Sequence, residues 1–243
     1  MKKFGGVMAN WSVLFLIILL LSTGAYQRNS LWKSELALWK DCVQKSPKKE
    51  RTHHNLGFAY HELGRWDDAK EEYEKALRLN PRYSLSMYDL GLIYYQKGLL
   101  DKSIRYYKGA TELDSNFPDS FFNLGIAYYR KGLYREALEA YNRCLETKSD
   151  YENANLNIGL AYKGLRERGR AIQSFQEELE SHPENVNAYV ELGLIHKEAG
   201  DYPKALFYYK KALACPDLRD AEGVRKAIAS IESAQRQRKR EDS

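Results

Sequence analysis

The sequence is poor in the residues that mark several common protein classes. Its 243 residues include only 3 cysteines, 6 prolines and 16 glycines. The cysteines lie far apart and form no CxxC pair, which excludes a disulfide framework and a zinc site made of cysteines alone. With 44% hydrophobic residues and so little proline and glycine, the chain is neither disordered nor collagen-like.

An excess of one charge and the motifs of common enzymes are also missing. The 38 basic residues nearly match the 33 acidic ones, and this small excess argues against nucleic acid as a partner. The sequence contains no Walker loop, GxGxxG, HExxH or GxSxG motif. We therefore expect no enzyme activity, no catalytic residue, no metal site and no cofactor. The carboxylates of Glu71, Glu72 and Glu74 are expected on solvated helix faces, and His53, His54 and His61 in solvent or lining a groove.

A long apolar segment lies near the amino terminus, from Val7 to Tyr26, behind Lys2 and Lys3. As a helix it would extend about 30 Å, which is the thickness of a bilayer's hydrocarbon core. We therefore predict a single transmembrane anchor over 7–26. A signal peptide cleaved near Ala25 is the alternative, because small residues precede that position.

The flanking charges leave the orientation of such an anchor open. Lysines and arginines are more numerous after the apolar segment than before it, which favours a cytoplasmic location for the rest of the chain. The signal-like start favours the opposite orientation.

A period of 34 residues dominates the rest of the sequence. Leu-Gly or Ile-Gly pairs end at five glycines with this spacing: Gly57, Gly91, Gly125, Gly159 and Gly193. A large ring follows each glycine after 16 positions: Tyr73, Tyr107, Tyr141, Phe175 and Tyr209. These rings explain part of the unusual content of 19 tyrosines.

This pattern resembles the tetratricopeptide repeat (TPR), whose signature is L-G-x2-Y, A-x3-F/Y and a final proline. The resemblance implies an all-α fold in which helix pairs stack into a right-handed α-α superhelix, the TPR solenoid, behind the transmembrane or signal helix. The turn within each pair is expected at a glycine with positive φ: Gly64, Gly98, Gly132 or Gly200. In the fourth repeat Arg166 replaces this glycine, which predicts an altered turn and a longer first helix.

The periodicity divides the chain into ten segments. They are a basic tail (1–6), the anchor or signal peptide (7–26), a juxtamembrane half-repeat helix (27–49), five repeats (50–83, 84–117, 118–151, 152–185 and 186–219), a capping helix (220–235) and a polar basic tail (236–243).

The segment from Arg28 to Gly57 also resembles the junction in bacterial O-mannosyltransferase-like membrane proteins, whose last membrane helix leads into extracytoplasmic TPRs. The shared features are Arg28-Asn29, Trp32, Leu38-Trp39, Lys45-Ser46-Pro47 and His54-Asn55-Leu56-Gly57. The multi-span catalytic part is absent from this sequence, so no glycosyl transfer is inferred. The resemblance favours an extracytoplasmic, periplasmic repeat domain.

In a TPR stack the first helices line a concave groove, and the resemblance places the partner-binding residues there. The candidates are Asn55, Phe58, Tyr88, Leu92, Tyr95, Phe122, Asn123, Ile126, Tyr129, Asn157, Lys163 and Lys197. By the same resemblance, Asn55, Asn123 and Asn157 are candidates for an amide ladder that holds a peptide backbone. The aromatic centre and the basic distal end favour an extended or helical segment with apolar anchors and some acidic character.

These features predict a membrane-tethered scaffold that binds an unknown protein partner, with the repeat domain outside the cytoplasm. One alternative is a non-catalytic accessory subunit of a cell-envelope glycosyltransferase or export machinery. Others are a cytoplasmic-facing domain and a soluble periplasmic protein released by cleavage. Self-association through the end helices is compatible with the pattern.

Overall fold

The computed structural model describes residues 34–216 and 218–241. Over these residues all regular structure is helical, as predicted, and no strand is present. The helices described are α1 (Glu35–Lys45), α2 (Glu50–Glu62), α3 (Trp66–Leu79), α4 (Ser84–Gln96), α5 (Leu100–Leu113), α6 (Pro118–Arg130), α7 (Tyr134–Thr147), α8 (Ala154–Gly164), α9 (Arg168–Ser181), α10 (Val186–Glu198), α11 (Tyr202–Ala214) and α12 (Ala221–Glu241).

The chain forms two compact units, and the boundary between them in the sequence falls between Ile93 and Tyr94, within α4. The first unit contains α1 to α3 and most of α4, and the second contains the end of α4 and α5 to α12. Short turns join consecutive helices, which therefore pack as antiparallel hairpins. These hairpins are α2–α3 in the first unit and α6–α7, α8–α9 and α10–α11 in the second.

The predicted anchor at 7–26 lies outside the described residues. Among the residues that are described, no helix combines the length and the apolar character that crossing a bilayer requires. The first described helix, α1, lies within the predicted half-repeat segment. It begins after Ser34, whose side chain accepts a hydrogen bond from the Ala37 N–H at 3.1 Å, and it packs against α2.

A ring on the second helix of each of these hairpins packs directly against a glycine on the first. Tyr141 is fully buried, and a Cβ added to Gly125 would lie 2.4 Å from its Cε1. Non-bonded carbon atoms prefer a separation of about 3.5 Å or more, so any side chain at this glycine would push the helices apart. The same contact joins Gly57 to Tyr73, Gly159 to Phe175 and Gly193 to Tyr209.

The last helix covers the carboxyl-terminal end of the second unit. Val224 and Ile231 of α12 are buried against Ala205 and Tyr209 of α11. The helix does not end at residue 235, where the pattern placed the end of the capping helix, but continues to Glu241. The predicted polar tail is rich in lysine, arginine, glutamine and glutamate, which are good helix formers, and this composition explains the extension.

The turn inside the hairpins has a common geometry. The glycines Gly64, Gly98, Gly132 and Gly200 have φ between 69° and 79°, in the left-handed region, as predicted. Arg166 adopts the same conformation, with φ of 62°. Beside it, the Glu167 N–H donates to the Tyr162 carbonyl at 2.9 Å, as the Arg65 N–H does to the Tyr60 carbonyl at 2.9 Å.

The predictions of an altered turn and a longer first helix in the fourth repeat are therefore wrong. The first helix of this repeat, α8, has 11 residues, whereas α2 and α6 have 13 each. The hydrogen bonds of the turn are retained, so Arg166 takes a backbone conformation that is unfavourable for a residue with a Cβ.

Replacing Arg166 by glycine should stabilise the protein. The left-handed conformation costs a non-glycine residue about 1 kcal/mol, and Arg166→Gly removes that strain, so the free energy of unfolding in urea should rise by about 1 kcal/mol. Arg168→Gly is the matched control, because this arginine lies in the first turn of α9 and glycine there should lower stability. An unchanged or lower stability of Arg166→Gly would show that the turn is not strained.

Candidate functional site

The predicted groove residues all lie on the first helices of the predicted repeats. In the first unit, Asn55 and Phe58 are on α2, and Tyr88 and Leu92 are on α4. The candidates in the second unit are Tyr95 on α4, Phe122, Asn123, Ile126 and Tyr129 on α6, Asn157 and Lys163 on α8, and Lys197 on α10. We call the surface that these helices form in the second unit the first-helix face.

Contacts between the helices show that the first-helix face is continuous. The guanidinium of Arg130 on α6 lies 4.7 Å from the ring centroid of Tyr95 on α4. Helices α6 and α8 contact each other directly. An ion pair between Lys163 and Glu191 then joins α8 to α10. The candidate residues of the second unit are thus brought to one surface.

The aromatic rings of this face are half-buried. Phe122 lies with its ring centroid 4.8 Å from that of Tyr151 and 5.8 Å from that of Tyr141. The ring of Tyr129 lies 5.4 Å from that of Tyr134, and burial raises the pKa of the Tyr129 hydroxyl. The rings are therefore fixed by packing while part of each remains accessible. In the first unit Phe58 is more open, with 43% of its surface exposed.

Two asparagine amides on this face have the same fixed orientation. Asn123 Nδ2 donates to the Asp119 carbonyl at 3.0 Å, and Asn157 Nδ2 donates to the Asn153 carbonyl at 2.8 Å. Each bond reaches one helical turn back and uses one of the two amide hydrogens. Asn157 has no other side-chain hydrogen bond with a described residue, so its second amide hydrogen and its Oδ1 can bind a ligand.

The distal end of the face is less basic than the sequence predicted. Lys163 belongs to the distal end that was expected to be basic, but its ammonium is paired with Glu191. The carboxylate occupies the position that asparagine has on α6 and α8, and it neutralises the lysine. Lys197 is half-buried and has no ion pair with any described residue. The face therefore offers one cation here instead of two.

In the first unit, a buried carboxyl group takes the place of the ladder asparagine. Asp89 on α4 is buried beside His54 on α2, whose Nδ1 lies 3.5 Å from Asp89 Oδ2 and 3.2 Å from Ser86 Oγ. Burial lowers the pKa of His54 to about 4. Burial also raises the pKa of Asp89 to about 7, although a hydrogen bond with Tyr73 acts in the opposite direction. His54 is thus a buried neutral side chain and not a solvated one.

The repeated hairpins agree with the comparison against known families. Family models described as tetratricopeptide repeats match residues 50–83, 91–132, 118–151 and 156–218. Together these matches cover more than half of the chain. The chain is a tetratricopeptide-repeat protein. The comparison with curated proteins found no match to this sequence.

Solved structures share the TPR fold. The crystal structure of MamA matches with 27% identity and a TM-score of 0.63 over 65% of this chain and 92% of MamA. YrrB, described as a TPR protein with an unusual peptide-binding site, matches with 18% identity and a TM-score of 0.67 over 80% of this chain and 97% of YrrB. The pilF protein of Pseudomonas aeruginosa matches with 18% identity and a TM-score of 0.65 over 88% of this chain and 95% of pilF.

The fourth TPR contains a buried glutamate that sequence reasoning missed. Glu178 is completely buried and accepts hydrogen bonds from the N–H groups of Asn153 and Leu156, at 3.0 and 3.2 Å, and from Asn185 Nδ2 at 2.8 Å. Its carboxylate therefore caps the start of α8. The signal was present in the sequence, because Glu178 stands where the other repeats have a small residue: Ala76, Ala110, Cys144 or Ala212.

The first TPR has a second buried acid, at Glu72, which was expected in solvent. Its Oε2 lies 2.7 Å from His53 Nδ1, and its Oε1 accepts from Lys75 Nζ at 2.7 Å. His53 Nε2 lies 2.9 Å from the Pro47 carbonyl, so the imidazole links α2, α3 and the segment before α2. The expectation of a solvated Glu72 and His53 is wrong because the neighbouring helices supply partners that the sequence does not reveal.

Asp89 should make folding stability depend on pH. In the unfolded chain this carboxyl loses its proton near pH 3.8, whereas the folded chain keeps it up to about pH 7. Its stabilising contribution is therefore complete below the unfolded pKa and is lost as pH rises through the folded pKa. Asp89→Asn keeps a neutral group of the same shape, and it should raise the free energy of unfolding at pH 8 by on the order of 2 kcal/mol while changing it little at pH 4.

The measurement is urea unfolding of the wild type and the Asp89→Asn variant between pH 4 and pH 8. Asp150→Asn is the control, because it removes an exposed carboxylate. Parallel stability curves for the wild type and Asp89→Asn would show that Asp89 is ionised in the folded state throughout this range.

Proposed function

We propose that this TPR protein is a non-catalytic scaffold that binds an extended or helical segment of a partner protein on the first-helix face. The observation that supports it best is the matched orientation of Asn123 and Asn157 on neighbouring helices, beside the half-buried rings of Phe122 and Tyr129. Amides with fixed orientation suit the hydrogen-bonding groups of a peptide backbone, and fixed rings suit its apolar side chains.

The chemistry of the face favours apolar anchors over acidic ones. The rings and Ile126 offer apolar contacts, whereas Lys163 is already paired with Glu191. Peptide binding is known for this fold, because YrrB is described as having a peptide-binding site. In the first unit, Asn55, Phe58, Tyr88 and Leu92 offer a similar mixture of one amide and three apolar side chains. The partner segment therefore needs large apolar residues more than negative charge.

We further propose that residues 7–26 tether the scaffold to a membrane, with the repeat domain on the periplasmic side. The support is the length and apolar character of this segment. Cleavage near Ala25 and a cytoplasmic-facing domain are the alternatives to a periplasmic anchor.

A second candidate function is that of an accessory subunit of a cell-envelope glycosyltransferase or export machinery. It rests on the resemblance of the junction at 28–57 to O-mannosyltransferase-like membrane proteins, which the comparisons with known proteins do not support. This alternative stays a prediction, and co-purification of an enzyme activity with the scaffold would favour it.

Binding on the first-helix face should depend on its asparagines. Asn123→Ala together with Asn157→Ala removes the two oriented amides without shortening any ring, and each lost hydrogen bond is worth about 1 kcal/mol, so partner affinity should fall at least about tenfold. The measurement is affinity capture by full-length protein from detergent-solubilised native membranes, followed by titration of the captured partner.

Two further variants complete this test. Asn142→Ala, at an exposed position on the second helix α7, is the matched control and should capture the partner as the wild type does. A variant with alanine at Tyr95, Phe122 and Tyr129 should lose capture altogether, provided that it remains helical. Unchanged capture by both first-helix variants would move the binding site to another surface.

Membrane tethering should be visible in fractionation. The full-length protein should remain in the membrane pellet after alkaline carbonate extraction, because an apolar helix of this length does not leave the bilayer. A variant that lacks residues 1–26 should be released into the supernatant. A soluble wild-type protein whose sequence starts after Ala25 would identify the segment as a cleaved signal peptide.

A further inference from the structure

The antiparallel hairpins of the second unit bring alternate turns to opposite edges. The turns inside hairpins, at 131–133, 165–167 and 199–201, lie at one edge, which we call the hairpin-turn edge. The connections between hairpins, at 148–153 and 182–185, lie at the other, which we call the connection edge. Side chains that are distant in sequence therefore line each edge together.

Charge is separated between these two edges. The exposed basic residues around the turns at 131–133 and 165–167 are Arg130, Lys131, Arg135, Arg166, Arg168 and Arg170, against the acids Asp101, Glu136 and Glu167. Around the turn at 199–201 the charges balance, with Lys197 and Lys204 against Glu198 and Asp201. The connection edge has the opposite excess, with Glu146, Asp150, Glu152, Glu180 and Glu184 exposed against Lys148 and against Arg143, which pairs with Glu146. The small net charge of the whole chain hides this separation.

Three arginines of the hairpin-turn edge are free to bind a partner. Lys131 is paired with Asp101, Arg170 lies 2.9 Å from Glu167, and Arg130 covers the ring of Tyr95. By contrast, Arg135, Arg166 and Arg168 are exposed, and their side chains have no hydrogen bond or ion pair with any described residue. At the same edge Leu99 leaves 45% of its surface exposed.

The backbone of Arg166 is an independent observation that points to the same edge. The other hairpin turns have glycine at this position, and Arg166 takes the same left-handed conformation with φ of 62°. Strained backbone persists where the surrounding structure enforces it, and it is concentrated at functional sites. Here it puts a cation at the tip of the turn, at the outermost part of the hairpin-turn edge.

We propose that the hairpin-turn edge binds the surface of an anionic phospholipid bilayer. Each lysine or arginine near such a surface raises the binding constant about fivefold, so several arginines on adjacent turns suffice for measurable binding. The acidic connection edge is repelled by the same surface, and the two edges therefore favour one orientation. Leu99 lies where an apolar side chain can enter the headgroup region.

A bilayer fits this edge better than an acidic protein does. Exposed ion pairs between these arginines and the acids of a protein would add little affinity. A lipid surface is planar and continuous, so it meets charges on neighbouring turns without a shaped counterpart. The proposal goes beyond the scaffold function and does not depend on the first-helix face.

Hydrogen exchange on the full-length protein in vesicles tests the proposal. Vesicles of phosphatidylcholine alone are compared with vesicles that contain phosphatidylglycerol as one quarter of the lipid. Amides of 130–135 and 164–168 should exchange at least about threefold more slowly with the anionic vesicles, and high salt should remove this protection. Amides of 148–153 and 182–185 should not change. Because the protection is measured at the amides of the turns, the test does not require residues 7–26 to be inserted into the vesicle membrane.

The variants separate loss of binding from loss of folding. Arg166→Gly should fold more stably than the wild type yet bind anionic vesicles about fivefold more weakly, whereas Arg166→Lys should retain binding. Arg135→Gln with Arg168→Gln should weaken binding further. The matched control changes exposed cations elsewhere, with Lys108→Gln and Lys210→Gln, and should bind as the wild type does.

Three results would overturn the proposal. The first is equal protection with neutral and anionic vesicles, and the second is an equal loss of binding in the control variant. The third is protection by a polyglutamate peptide but not by anionic vesicles, which would assign the edge to an acidic protein segment. Capture of a partner on the first-helix face is measured separately, so failure of one proposal does not imply failure of the other.

Discussion

The structure depends on the contact between a large ring and a glycine inside each hairpin. Because a Cβ at Gly125 would lie 2.4 Å from Tyr141, the two helices approach as closely as backbone and ring allow. The glycine also fixes which side chains face outward, since the first-helix face is made of residues at set distances from it in sequence. Asn123 and Asn157 lie two positions before Gly125 and Gly159, and their amides have the same orientation for this reason.

Most of the fold could be predicted from the sequence, because the period of 34 residues repeats the same contacts. The helices, the positive φ of the turn glycines and the placement of the groove candidates on first helices follow from that period. The period could not reveal the local structure at positions where one repeat differs in sequence from the others. Arg166 was expected to change its turn, but the hydrogen bonds of the turn outweigh the strain of one residue.

The buried acids show why side-chain environments were harder to predict than helices. Glu178 and Asp89 are both buried, but only Glu178 has three N–H donors within 3.2 Å. Asp89 lies beside a neutral His54, and burial raises its pKa to about 7. Burial of a carboxyl group without such donors favours the neutral acid. This difference depends on neighbours that are distant in sequence, although the glutamate at a small-residue position was itself a visible signal.

The charged edges illustrate the same limit for the surface. The small net charge of +5 argued only against nucleic acid as a partner, and it did not show where the charges would lie in the fold. Folding brings turns that are 34 residues apart to one edge and the intervening connections to the other, so a repeat with basic turns and acidic connections acquires a charge separation. A helical-hairpin fold therefore converts a short-range alternation of charge into two distinct surfaces. The first-helix face, which lies between these edges, remains available to a partner segment while one edge is bound.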